Sequence, residues 1–139
     1  MIVLDASAMV EALVGRDPAD ELLDALAGEI HAPSLLDIGV NSVLRGLELG
    51  RSLTGSRAEQ ALDDYWSFTI VRYELEPLRE RVWRLRHQFT SYDAFYLALA
   101  EALDAPLVTC DKKLATGGHH ARVRYLAGRG DAHTGSGRS

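Results

Sequence analysis

"SYDAFYLALAEALDAPLVTCDKKL", residues 91–114, holds a helix, a turn and a buried strand in twenty-four positions. From Tyr92 to Leu103 the apolar residues Ala94, Phe95, Leu97, Ala98 and Ala102 recur at helical spacing, so a helix over 92–103 is expected to face a core. Pro106 then stops any helix, and 106–110 ("PLVTC") is short and almost continuously apolar, the pattern of a strand covered on both faces. Asp111 closes that strand. A helix feeding straight into a doubly covered strand points to an α/β domain with a parallel sheet.

The same alternation runs through the rest of the chain. Ile2, Val3 and Leu4 form a second buried-strand run, closed by Asp5. A helix is expected over 6–14, then a break at 15–18. A second helix opens at Asp17, with Pro18 in its first turn, and runs to about Ala27. Residues 30–32 read as a minimal strand. The helix that starts at Pro33-Ser34 and ends at Gly50 has Leu36, Val40, Val43 and Leu47 on one face. Helices over 54–66 and 77–88, a strand over 68–71 and a last strand over 122–126 complete the expected order. The fold class is therefore α/β, three layers with helices on both faces of a mainly parallel sheet of four to five short strands. Residues 1–126 form one domain. The Gly- and polar-rich segment 127–139 reads as a loose tail, and its Arg129-Gly130-Asp131 triplet is ascribed to composition.

The bulk properties narrow the function. At 139 residues the chain is sized for one core, and 47% hydrophobic content fits a folded domain. A formal net charge of −5 argues against a protein that grips nucleic acid through its overall field, so any such role must rest on a local site or a metal. The single cysteine, Cys110, has no partner for a disulfide, which fits a reducing cytoplasm. The chain shows neither a signal-peptide pattern nor an apolar run long enough for a membrane span.

The chemistry resides in carboxylates. Asp5 and Asp111 each follow a strand, and in open parallel sheets ligands bind outside the strands' carboxyl ends. Asp93 opens the helix before the second of those strands, where a helix-start acid is the plain alternative. Crowded carboxylates repel unless a cation joins them. Oxygen ligands of this kind suit Mg²⁺ or Mn²⁺. No histidine cluster supports zinc, since the adjacent His119 and His120 point different ways in regular structure and read as a polar loop.

Three stretches, "MIVLDASAMVEAL", "HAPSLLDIGVNSVLRG" and the opening one, resemble the signature blocks of the PIN-domain family. The resemblance runs from Met1 to about Leu126 and is closest to the VapC-type toxins of bacterial toxin–antitoxin pairs. It implies a metal-dependent endoribonuclease that cleaves RNA and is neutralised by a cognate antitoxin. It also implies that Asp5, Asp93 and Asp111 bind Mg²⁺ or Mn²⁺, with the hydroxyls of Ser7 and Thr109 beside them. A metal held by such carboxylates lowers the pKa of a bound water and offsets charge on a phosphodiester.

One position departs from that pattern. The family usually carries a glutamate two residues before the asparagine matching Asn41, and here that residue is Gly39. Asp37 lies about 200° away around a helix of 3.6 residues per turn, and Glu48 is more than two turns further on. Neither replaces it. Gly39 has three readings: a small residue for close helix packing, a lineage that kept partner binding alone, or an introduced or selected change that disarms a harmful enzyme. The intact flanking pattern favours the last. The expected protein is a nuclease impaired at this position, and the alternative is a catalytically silent antitoxin-binding or regulatory module. A phosphotransfer domain is disfavoured, because "DAS" after the first strand is not the Asp-x-Asp of aspartyl phosphatases. Arg72, Arg79, Arg81, Arg84 and Arg86 read as a solvated helix face or an RNA-backbone contact. Met9, Val10, Leu13, Leu22 and Leu26 exceed one core face and offer either core packing or an antitoxin or homodimer contact.

Overall fold

In chain order the first half holds β1 (Ile2–Leu4), α1 (Ala6–Val14), α2 (Asp20–Leu26), β2 (Ile30–Pro33), α3 (Leu36–Leu49) and α4 (Gly55–Ser67). The second half holds β3 (Ile70–Tyr73), α5 (Arg79–Arg84), α6 (Ser91–Leu103), β4 (Leu107–Thr109) and β5 (Val123–Tyr125). Short 3-10 turns at Glu76–Leu78 and Lys112–Ala115 precede α5 and follow β4. This is a computed structural model that describes residues 1–128. Most of the expected tail, including Arg129-Gly130-Asp131, lies outside the described residues.

The five strands form one all-parallel sheet in the order β3-β2-β1-β4-β5. β1 is central: Val3 pairs with His31 of β2 on one side and Leu107 of β4 on the other. The chain builds outward from β1 to β3, then returns to lay β4 on β1's free edge. The β1/β4 junction is thus the place where strand order reverses, the crevice in which open α/β sheets bind ligands. α1, α3 and α4 pack together as one helical group, while α6 lies against β1, β2 and β4 with α5 beside it.

α6 explains why the opening stretch is so apolar. Every residue from Ala94 to Ala100 is buried, so this helix is enclosed on all sides rather than amphipathic. Ala102, expected in the core, is exposed, because the buried zone ends before the last turn. In α3 the buried stripe is Leu36, Val40 and Leu44. Val43, expected inside, is 39% exposed and with Leu47 lines a groove against Val10 and Val14 of α1. A stripe advancing by four residues drifts off the face that an alternating three-four spacing would follow.

Other boundaries shift for local reasons. α2 starts at Asp20, past Pro18, with Ala19 as its N-cap. β3 begins two residues later than expected because Phe68 is still capping α4. The expected helix over 77–88 shrinks to Arg79–Arg84, and Leu85 turns the chain with its N–H shared among three carbonyls. Met9, Val10 and Leu22 are buried, and Leu13 and Leu26 pack against the same core, so the apolar surplus of the early helices is core packing.

Candidate metal site and its comparison with known proteins

Asp5 leaves the end of β1 and caps α1, accepting the Ala8 N–H at 3.0 Å. Two hydroxyls complete its shell: Ser7 Oγ donates to Oδ1 at 2.8 Å and Thr109 Oγ1 donates to Oδ2 at 2.6 Å. Each hydroxyl then accepts from β4's end. Cys110 N–H points to Ser7 Oγ at 2.9 Å, and Asp111 N–H points to Thr109 Oγ1 at 2.9 Å. Both side-chain protons go to Asp5, so the 3.3 Å approach of the two hydroxyl oxygens is a contact between acceptors. Ser7 and Thr109 thus tie the Asp5 carboxylate to the backbone at the end of β4.

Asp5 is 6% exposed. Burial pushes its carboxyl above the usual range; the hydrogen bonds from Thr109, Ala8 and Ser7 pull the other way without cancelling this, and the charge of Asp111 adds to it. Asp93 sits in the first turn of α6, and its own N–H is capped by Thr90 Oγ1 at 3.2 Å. Burial raises its carboxyl too, helped by Asp111 and opposed by Lys113. Asp111 follows β4, and its Oδ1 accepts the Lys113 N–H at 3.1 Å.

The three aspartates thus meet electrostatically, but two of them share a tighter spot. Lys113 Nζ stands 3.7 Å from Asp93 Oδ2 and 3.6 Å from Asp111 Oδ2. Among the described residues, no three His, Cys, Asp or Glu side chains form a ready-made metal cluster. The donors nevertheless suit a hard divalent cation, which binds through one or two carboxylates and keeps several waters. An ammonium already bridges two of those carboxylates. Tyr96 Oη is buried with no hydrogen-bond partner among the described residues, within electrostatic reach of Asp5, Tyr65, Asp93 and Asp37. Burial foremost, then Asp5, Tyr65, Asp93 and Asp37, raises the phenol. An orphaned buried hydroxyl within reach of these charges is what a site adapted to bound water would leave.

Gly39 has no left-handed backbone to explain it: it is an ordinary α3 residue, with N–H bonded to Leu35 O at 2.9 Å. A Cβ built on it would lie 3.1 Å from Ala6 Cβ of α1. The glycine therefore has a packing reason of its own, letting α3 close onto α1. Asp37 stands apart, as its angle on the helix requires. Arg72 Nε and Nη2 hold its carboxylate at 3.0–3.1 Å, and Tyr65 Oη donates to Oδ1. Burial works to raise this carboxyl, but the Arg72 and Tyr65 bonds outweigh it and hold it below the usual range. Arg81 likewise forks onto Glu101 of α6 at 2.7 and 2.9 Å. With Arg72 and Arg81 committed to carboxylates and Arg86 stacked 4.6 Å over Trp83, the arginines are not one open basic face.

Strand order, the Asp5–Asp111 crevice and the burial of α6 agree with a match to the PIN domain family model over residues 2–118. This chain is a PIN domain. It is 39% identical over 118 residues to VapC ribonuclease Mb0985 of Mycobacterium bovis, covering 85% of this chain and 91% of the relative. Ribonuclease VapC1 of Mycobacterium tuberculosis is 43% identical over 116 residues, covering 81% and 87%. Among solved structures, Mycobacterium tuberculosis VapC20, described as a Sarcin-Ricin loop cleaving toxin, superposes with a TM-score of 0.63 at 14% identity. That match covers 86% of this PIN domain and 97% of VapC20. VapBC2 from Rickettsia felis, solved with a DNA fragment from its promoter, gives 0.64 at 18% identity, covering 91% and 99%. At these identities the structures speak to the fold alone.

Sequence reasoning missed Lys113, Tyr96 and Thr90. Lys113 was legible as a cation two residues after a strand-end acid, and Tyr96 as a polar tip one helical turn after Asp93 on the same side of α6. Thr90 three residues before Asp93 is an N-cap spacing.

Proposed function

We propose that this PIN domain is a VapC-type endoribonuclease toxin that acts in the cytoplasm, works with Mg²⁺ or Mn²⁺, forms a homodimer and is neutralised by a cognate antitoxin. The single observation that carries the catalytic reading is the pair Asp93–Asp111 converging on one cation position at the β1/β4 switch point, with buried Asp5 behind it. Ribonuclease relatives at 39–43% identity support RNA as substrate, and toxin–antitoxin complexes among the structural neighbours support the antitoxin.

Asp93 and Asp111 would hold the metal directly. Asp5, its oxygens committed to three donors, would act through its charge and through water. Once bound, the metal supplies an activated water and offsets negative charge on the phosphodiester. Ser7 and Thr109 keep Asp5 oriented and tie it to the backbone at Cys110 and Asp111. Tyr96 would offer its buried hydroxyl to a water entering the site.

The test is cleavage of a structured RNA with Mn²⁺ added, with a chelator, and with D93N or D111N. Metal-dependent cleavage lost in both variants supports the reading. Cleavage indifferent to chelator and to D111N refutes it. Gly39 favours a second reading, a silent antitoxin-binding module, because the packing against Ala6 leaves the expected acid replaced by a fitted glycine. Gly39→Glu separates the two: gain of cleavage supports an impaired enzyme, and continued silence with intact antitoxin binding supports the module.

A further inference from the structure

We infer that Lys113 is a built-in counter-cation for the site, bridging Asp93 and Asp111 until a divalent ion displaces it. The inference rests on the metal reading above and deepens it.

Nζ stands almost equidistant from the two carboxylates, at 3.7 and 3.6 Å. Both distances exceed the 2.7–3.2 Å of a formed N–H···O hydrogen bond, so charge rather than hydrogen-bond geometry holds the ammonium there. The side chain is 56% exposed, while Asp93 and Asp111 are 20% and 27% exposed. The ammonium therefore enters the acidic crevice from its mouth and has solvent into which to withdraw. Its backbone stays fixed, because the Lys113 N–H donates to Asp111 Oδ1 at 3.1 Å. A head that moves on an anchored stem is what reversible occupation requires.

The charges facing this position make the bridge useful. Asp93 and Asp111 repel one another, and Asp5 feels Asp111 from below. The nearest elements supply Asp93 from α6, Asp111 from the end of β4 and Asp5 from the end of β1, all acidic, and among the described residues Lys113 is the cation paired with Asp93 and Asp111. An ammonium and a divalent ion bound by the same two oxygens exclude each other by charge. Lys113 thus lets the metal-free protein keep three acids together, and it sets a threshold for metal entry. On displacement its ammonium lies at the crevice mouth, where the substrate phosphodiester must approach.

The test is Mn²⁺ binding to the full chain, read by electron paramagnetic resonance, for wild type, K113Q and K112Q. Lys112 is adjacent and exposed, and it makes no ion pair with these carboxylates among the described residues, so K112Q controls for the loss of one positive charge nearby. K113Q is expected to bind Mn²⁺ roughly two- to tenfold more tightly, the range expected of two half-exposed ion pairs, with K112Q within about twofold of wild type. In parallel, the ε-methylene NMR signal of Lys113 should move on Mg²⁺ addition while that of Lys112 stays. Equal Mn²⁺ affinity in K113Q and wild type, or a stationary Lys113 signal in a protein that binds the ion, overturns the assignment of Lys113 while leaving the metal site standing. Failure of wild type, K113Q and Gly39→Glu alike to bind Mn²⁺ overturns both.

Discussion

Thr109→Val removes one hydroxyl and keeps the shape of the side chain, at a residue with no exposed surface. In the native protein that hydroxyl donates to Asp5 Oδ2 at 2.6 Å and accepts from the Asp111 N–H at 2.9 Å. Asp5 is itself nearly enclosed, so no water can replace the lost donor cheaply. A hydrogen bond to a buried charge contributes about 1.5–3 kcal/mol, and the stranded N–H adds roughly 1 kcal/mol. The expected loss is about 2–4 kcal/mol, a large part of the roughly 5–15 kcal/mol that holds a domain of this kind together. For a chain of this length the thermal midpoint should fall by roughly 8–14 °C. Urea and thermal denaturation of wild type, T109V and T109S measure it, with T109S expected to lose only about 1 kcal/mol for its methyl. In a D5N background the cost of T109V should drop to about 1 kcal/mol, since the charge that needed the hydroxyl is gone. The T109V deficit should also shrink as pH falls through the raised Asp5 value, where the carboxyl is protonated. A T109V midpoint within about 2 °C of wild type, or an equal penalty in D5N, would falsify the claim that Asp5 is held as a buried, hydroxyl-clasped carboxylate.

Gly39→Ala gains about 1 kcal/mol of helix propensity but meets Ala6 Cβ at 3.1 Å, so urea midpoints should show a gain well short of 1 kcal/mol, restored when Ala6 is changed to glycine. Asp37 is held below its usual value, so its pairing stabilises the fold above the unfolded value of about 3.8 and is lost as pH falls through the lower folded one. The wild-type advantage over D37N in urea should therefore be present at pH 7 and shrink as pH falls below the unfolded value of about 3.8. Asp5 and Asp93 have the opposite sign: with raised folded values their ionisation costs stability as pH rises, and D93N should gain on wild type from acid towards neutral pH. Tyr65→Phe leaves Arg72 on Asp37 but removes a donor at a fully buried ring, and should cost about 1–2 kcal/mol in thermal denaturation.

Much of this architecture was legible because strands buried on both faces leave so little choice of residue. Ile2-Val3-Leu4 and Leu107-Val108 permit no amphipathic reading, and Asp5 and Asp111 at the ends of those strands mark the crevice. The α/β class and the convergence of Asp5 with Asp111 follow from that pattern. What escaped was set by tertiary geometry. Val43 and Leu44 are equally apolar, and only the angle at which α3 meets α1 decides which is inside. The six residues of α5 look like a longer helix until Leu85 turns the chain. Lys113 was hidden for a different reason: an ammonium on four methylenes reaches several places, and sequence does not say which. The reason for Gly39 was likewise absent from its own neighbourhood, since it lies at Ala6, thirty-three positions earlier.

The clasp between Asp5 and Thr109 joins residues 104 positions apart, and β4 reaches β1 only after β2 and β3 have been laid down on its other side. During synthesis Asp5 is made long before Asp93 and Asp111, which follow only after β2, α3, α4 and β3. No chain that stops before Asp111, whether still on a ribosome or cut short, can assemble the crevice. A nascent chain that has not yet reached β4 therefore holds Asp5 without its Thr109 clasp and without Asp111, an order of events that strand topology enforces without any partner.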